Sequence, residues 1–301
     1  MKKARIIECV PNFSEGKNKD VIKGIAAAAG KVQGARVLDV EWNASHNRSL
    51  MTIVGEPEAV YQAVWEAIKT ATKLIDMRKH KGEHPRIGAT DVVPFVPVSR
   101  MSIGECVKLA KKLGQQVARE LKIPVYLYED AATRPERVNL ADVRKGEYEG
   151  LGVEIQTKKE RKPDYGPTEM HPTAGAMVVG ARKYLIAYNV NLDTADVRVA
   201  KDIANVIRER NGGLPGIKAL GFLVDGKAQI SMNLVDFEKT NMDGVYAAIK
   251  EQAHKLGVKI AESEIYGMIP LEALVKMARD SLQAPDFKAE QVLENRIYGF
   301  E

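Results

Sequence analysis

Residues 217–237, IKALGFLVDGKAQISMNLVDF, hold two strand-like apolar runs separated by Asp225-Gly226. An Asp-Gly pair between such runs is a strong hairpin signal, because the tight turn needs positive φ at both central positions. Immediately before this hairpin, TADVRVAKDIANVIRER from Thr194 repeats its apolar residues with a helical period, and Thr194 is the expected N-cap. The strand KYLIAYNVNL (residues 183–192) precedes that helix. After the hairpin, MDGVYAAIKEQAHKLG (242–257) reads as a second helix and VKIAESEIYG (258–267) as a closing strand. The order is β-α-β-β-α-β.

The same order runs through the first half. ARIIECV (4–10) reads as a buried strand and NKDVIKGIAAAAGKV (18–32) as a helix. ARVLDVEW (35–42) and RSLMTIVG (48–55) then form a hairpin around NASHN, and Pro57 opens the helix EAVYQAVWEAIKTATKLID (58–76) at a position that tolerates proline. The two second helices rhyme, AVYQAV around Tyr61 and GVYAAI around Tyr246. The reading is an α+β protein of two tandem βαββαβ-type subdomains, residues 1–181 and 182–301, with helices packed on one face of each sheet.

An elaboration separates the halves. VVPFVPV (92–98) is strand-like, and Pro94 and Pro97 predict an edge or interrupted strand. Ser102 and Glu105 form a capping box for the helix ending at Leu121, and PVYLYED (124–130) is another strand. Residues 129–175 read as loops with short helices, and the tail QAPDFKAEQVLENRIYGF as a small terminal helix.

Totals set limits on function. The chain has 301 residues, 45% hydrophobic and 28% charged, with no uncharged apolar run long enough for a membrane span. The start, MKKARIIECVPNF, is too short in apolar residues for a secretory signal, so the cytoplasm is expected. Cys9 and Cys106 lack metal-ligand spacing and are expected as buried free thiols. A net charge of +5 suits anionic small molecules and, without a long basic run, argues against nucleic acid.

The chemistry centres on RKHKGEHPRIG (78–88), which contains H-x-x-E-H, the spacing of one class of zinc peptidases. That site needs both histidines on one helix. Gly82 and Pro85 oppose a helix here, so His84 is expected on a loop, with His80 pointing elsewhere. A loop histidine with an ordinary pKa near 6.5 exchanges protons around neutrality. A solvated basic connector explains the same composition slightly better. PNFSEGKN places Asn12 at a strand end leading into a helix, EWNASHNRS places Asn47 and Arg48 at a hairpin edge, and YGPTEMHPTAGAMVVGARK is a glycine-rich loop or crossover. Each also has a plain turn reading.

In chain order, ECVPNFSEGKN (8–18), NRS (47–49), LIDMRKHKGEHPRIGATDVVPFVPV (74–98), PVYLYEDAA (124–132), GARKYLIAYNVNL (180–192) and NLVDFEKT (233–240) resemble the formiminotransferase family. Its enzymes act on formiminoglutamate and tetrahydrofolate. The resemblance implies two ferredoxin-like subdomains with folate bound in the groove between them, and His84 as the catalytic histidine. It implies substrate or folate contacts at Asn12, Asp39, Glu41, Asn47, Arg48, Arg86 and Gly88, and folate contacts at Gly166, Pro167, Thr168, Thr173 and Gly175. Within it, Arg48 and Arg86 are candidates for the glutamate carboxylates, and Asp39 or Glu41 for orienting His84. Tetrahydrofolate is implied as co-substrate, with no metal. A homodimer is expected, with any cyclodeaminase a separate protein. Two rivals stand beside it: a relative acting on 5-formyltetrahydrofolate, by formyl transfer to glutamate or by cyclisation, and a non-catalytic folate-binding protein.

Overall fold

The first strand is broken in two. β1 (Ile6–Cys9) and β2 (Asn12–Phe13) lie on one line, since both pair antiparallel with β4 (Arg48–Gly55) and with β5 (Thr90–Ser99). β3 (Ala35–Asn43) pairs with β4. With α1 (Lys19–Gly30) and α2 (Pro57–Leu74), these strands follow the β-α-β-β-α-β path read from the sequence. The computed structural model describes residues 4–298, and the chain divides into two compact units between Arg182 and Lys183.

β5 is neither the edge strand nor the interrupted strand that its prolines predicted. It lies inside the sheet, between the β1/β2 line and β7 (Met177–Ala181). Pro94 falls opposite the break between β1 and β2, where Val10 N–H donates to Pro94 O at 3.3 Å. Pro97 pairs beside the register shift at Ile6/Ile7. The missing N–H groups thus fall where the β1/β2 ladder is already interrupted.

β7 lies in the stretch read as a crossover loop, and it pairs in parallel with both β5 and β6 (Val125–Glu129). Parallel strands need crossovers, and here these cover both faces. α3 (Ile103–Leu121) joins α1 and α2 over Val93, Phe95, Leu127 and Val179. On the opposite face, α4 (Leu140–Val143) and α5 (Glu147–Thr157) bring Val143, Leu151 and Ile155 onto Val92, Tyr126, Tyr128 and Val178. The expectation of helices on one face therefore fails for this unit. Only the β3-β4-β1/β2 side keeps an open face.

In the second unit the sheet order is β11-β8-β10-β9, all antiparallel: β8 (Ile186–Leu192), β9 (Ile217–Val224), β10 (Lys227–Leu234) and β11 (Ile260–Tyr266). The β9–β10 hairpin turns at Asp225 and Gly226, with φ of +47° and +77°, the left-handed pair expected of Asp-Gly. α6 (Val197–Ile207) and α7 (Met242–Lys255) cover the face carrying Val190, Ile230 and Met232. Asp196, not Thr194, caps α6: its carboxylate accepts from Arg198 N at 3.0 Å, while Thr194 Oγ1 accepts from Asp196 N at 3.1 Å. The threonine closes the turn that delivers the aspartate. α8 (Leu271–Ser281) was not read from the sequence; α9 (Leu293–Tyr298) is the expected terminal helix, residues 299 and 300 of that tail lying outside the described residues.

The rhyming tyrosines have different fates. Tyr61 is buried beneath α3, donating to Gln116 Oε1 with Lys112 Nζ 4.2 Å from its ring centre, whereas Tyr246 is exposed. Cys9 and Cys106 are buried free thiols. Among the described residues, no helix is long and apolar enough to cross a membrane.

Candidate active site on the first unit

Cross-strand neighbours share a face, so register shows what the open face carries. Met51 and Ile53 of β4 point into the core under the helices. The alternate residues Arg48 and Leu50, with their partners Asn43, Glu41 and Asn12, therefore point to the open side. The loop 75–89 between α2 and β5 carries His80 and His84 to this side.

The loop is fastened by backbone and by Asn47. Asn47 takes φ of +48° in the β3–β4 turn, and its Oδ1 accepts from Gly16 N at 2.9 Å. Its Nδ2 donates to Lys81 O at 3.0 Å, and its carbonyl accepts from His80 Nε2 at 2.8 Å. Gly82 makes this contact possible, since a Cβ there would stand 2.2 Å from His46 O. Replacing Gly82 by alanine is expected to push the loop off the turn and cost about 1–3 kcal/mol, measurable as a lowered denaturation midpoint. An unchanged midpoint would show that the loop does not rest on this contact.

His84 sits at the loop's turn, partly buried, with its ring 6.0 Å from that of His46. Its Nδ1 lies 2.8 Å from Pro85 O. A carbonyl only accepts, so Nδ1 carries the proton and Nε2 presents a lone pair. Burial, then the positive charges of Arg48 and Arg144, depress the His84 pKa to about 3, with Asp91 pulling weakly the other way. The imidazole is a neutral base at physiological pH. The acid limb of kcat/KM governed by His84 is accordingly expected well below pH 6.5, and a limb centred at or above 6.5 would contradict this charge arrangement.

Beneath lies a buried ionic cluster. Asp91 is fully buried; its Oδ1 accepts from Ile87 N at 2.9 Å and its Oδ2 from Arg48 Nη1 at 2.7 Å and from Arg144 Nη2. Arg48 also donates through Nε and Nη2 to Asn12 Oδ1, at 3.1 and 2.9 Å. Burial raises the Asp91 pKa, but Arg144 and Arg48 outweigh it and hold the carboxyl below its usual value. Two guanidiniums share one carboxylate, and both lower the His84 pKa.

The histidine pair of H-x-x-E-H does not converge. His80 is buried, its Nε2 on Asn47 O and its Nδ1 accepting from Arg86 Nε at 3.2 Å, so neither ring nitrogen is open to a metal. No group of three or more His, Cys, Asp or Glu suited to a metal ion occurs among the described residues.

Residues 6–182 match the family described as "Formiminotransferase domain, N-terminal subdomain", and residues 187–292 match "Formiminotransferase domain". The chain belongs to the formiminotransferase family. It is 46% identical to a glutamate formimidoyltransferase of Streptococcus pyogenes serotype M1, over 98% of this chain and 100% of that protein. It is 43% identical to one of Thermoplasma acidophilum over 97% of both chains. A formimidoyltransferase-cyclodeaminase of Rattus norvegicus is 44% identical over 91% of this chain but only 52% of its own length.

In this formiminotransferase the other expected site residues fall into distinct places. Asn12, Asn47, Arg48 and Gly88 gather around the His84 loop. Gly88 pairs with Gly175, and a Cβ on it would stand 1.8 Å from Ala176 O, so only glycine lets the two segments touch. Thr173 joins them through its carbonyl, which accepts from Met77 N at 2.8 Å. Gly166, Pro167 and Thr168 lie elsewhere: Gly166 packs against Ala118 and Ile123, while Pro167 and Thr168 line a surface depression with Gln156 and Glu169. Asp39 Oδ1 accepts from Val40 N at 2.8 Å, and Glu41 is half-buried on β3.

Arg86, expected on a substrate carboxylate, already has partners. It donates to Glu147 Oε2 at 2.9 Å and twice to Glu149, at 2.7 and 2.8 Å, besides His80. Sequence reasoning missed Asp91, Arg144, Glu147 and Glu149. One signal was available: Asp91 is the one charged residue in the strand TDVVPFVPVS, and a charge in such a run has to be paired. Arg144 and the two glutamates had none, being three more charges in a polar stretch.

Proposed function

We propose that this enzyme transfers the formimino group of N-formimino-L-glutamate to N5 of tetrahydrofolate, with His84 as general base and then general acid. The observation that carries the reading is the His84 imidazole on its loop, with Nδ1–H on Pro85 O and the Nε2 lone pair left for a substrate proton. N5 attacks the formimino carbon and forms a new C–N bond, giving a tetrahedral intermediate. Nε2 accepts the proton that N5 releases. The imidazolium returns that proton to the glutamate nitrogen as the old C–N bond breaks, so the histidine ends as it began. The nearby guanidiniums disfavour the imidazolium, which makes it a strong acid for the second step. Tetrahydrofolate is a co-substrate in this scheme, with Thr173 and Gly175 the family-matched residues nearest the histidine loop.

The strand orders β5-β1-β4-β3 and β11-β8-β10-β9 support reading each unit as ferredoxin-like, the first enlarged by β6 and β7. Mixing the protein with formiminoglutamate and tetrahydrofolate tests the function. Formation of 5-formiminotetrahydrofolate is expected; formyl transfer from 5-formyltetrahydrofolate without it would overturn the proposal.

A further inference from the structure

We infer that Arg144, together with Arg48, binds the α-carboxylate of the glutamate donor next to His84. The inference deepens the proposed reaction and rests on it. Arg144 follows α4 and reaches the open face from the cover that α4 and α5 form, so it joins the site from a different part of the chain than Arg48. Its Nη2 holds Asp91 Oδ2, while its Nε–H is buried with no partner. A buried guanidinium N–H left unpaired is costly, and a carboxylate oxygen is the partner it fits best.

Charge gives the same answer. One carboxylate, Asp91, faces both arginines, so the pair brings two positive charges to a single negative one. Arg86 does not compete for the ligand, because two carboxylates, Glu147 and Glu149, already neutralise it.

Chemistry selects which carboxylate. In formiminoglutamate the α-carboxylate carbon is three bonds from the formimino carbon that His84 must serve. In tetrahydrofolate the p-aminobenzoyl group separates N5 from the glutamate carboxylates. A cation that acts on His84 itself is therefore matched to the donor's α-carboxylate, and neither to its γ-carboxylate nor to the folate tail. Occupancy of the pair would also offset the charge that opposes protonation of His84.

Binding titrations decide the matter without turnover. L-Glutamate, its α-amide isoglutamine and its γ-amide glutamine are titrated onto the wild type, Arg144→Gln and Arg144→Lys, each checked by thermal unfolding. Wild type is expected to bind glutamate about 10- to 100-fold more tightly than the α-amide. In Arg144→Gln that gap should nearly vanish, and Arg144→Lys, which keeps charge but not the fork, should fall between and serves if the glutamine variant unfolds. An undiminished gap in a folded variant, or a larger penalty for the γ-amide, would overturn the inference. Wild-type formimino transfer is measured alongside. Transfer with an undiminished gap faults the carboxylate site alone; no transfer with the α-carboxylate preference intact faults the reaction alone.

Discussion

Replacing His84 by alanine is expected to lower kcat for formimino transfer by about 10²- to 10⁴-fold, the usual worth of a positioned acid–base group. The fold should survive. The side chain of His84 is only partly buried and its hydrogen bond runs to the neighbouring residue's carbonyl, so its loss strips no distant buried group of a partner. The loop keeps its fastening through Asn47, His80 and Arg86, none of which bonds to His84. His84→Asn sharpens the test, because an amide N–H can still reach Pro85 O while supplying no base. Both variants should bind folate and formiminoglutamate nearly as wild type does. Turnover within tenfold of wild type in either would remove His84 from the chemistry.

The second large effect is on stability. Asp91→Ala is expected to destabilise the first unit by about 3–5 kcal/mol, because it strips the carboxylate from two nearly buried guanidiniums. For a unit of this size that corresponds to a melting temperature lower by roughly 6–20 °C. The same group predicts acid sensitivity. Its folded pKa is held below the ordinary aspartate value, so its stabilisation is complete above about pH 4 and is lost as pH falls through the folded value. His84 adds to the loss in the same direction, since its pKa near 3 lies below its unfolded value of 6.5: from pH 6.5 down to 3 the unfolded chain binds the extra proton. A variant at Asp91 that melted within 2 °C of wild type would show that the cluster contributes little.

Local chemistry made the second unit readable. Asp225-Gly226 demanded a tight turn and the flanking apolar runs demanded strands, so run and turn agreed. In the first unit the path to α2, the capped helix α3 and the strand β6 were readable, while the interior place of β5 and the strand β7 were not. Beyond α2 its strands are buried on both faces, and a segment such as MVVGA inside a glycine-rich stretch gives no alternation to distinguish strand from loop. Prolines 94 and 97 misled for a related reason. Their effect depends on whether the neighbouring ladder is intact, and the break at Val10-Pro11 is a tertiary fact.

The candidate site divides similarly. Gly82 and Pro85 placed His84 off a helix by backbone chemistry alone. The sharing of Asp91 between Arg48 and Arg144 joins residues 43 and 53 positions apart, and no local pattern encodes it. Arg86 shows the converse: a motif arginine whose donors are taken by glutamates that lie 61 and 63 residues away.

The most direct measurement is a ¹⁵N NMR titration of the five histidines, with the His84 signals assigned by their absence from His84→Asn. A neutral ring with a protonated Nδ1 and a bare Nε2 is expected from pH 8 down to about pH 4. A His84 that protonates near pH 6.5, or whose neutral ring carries its proton on Nε2, would contradict this.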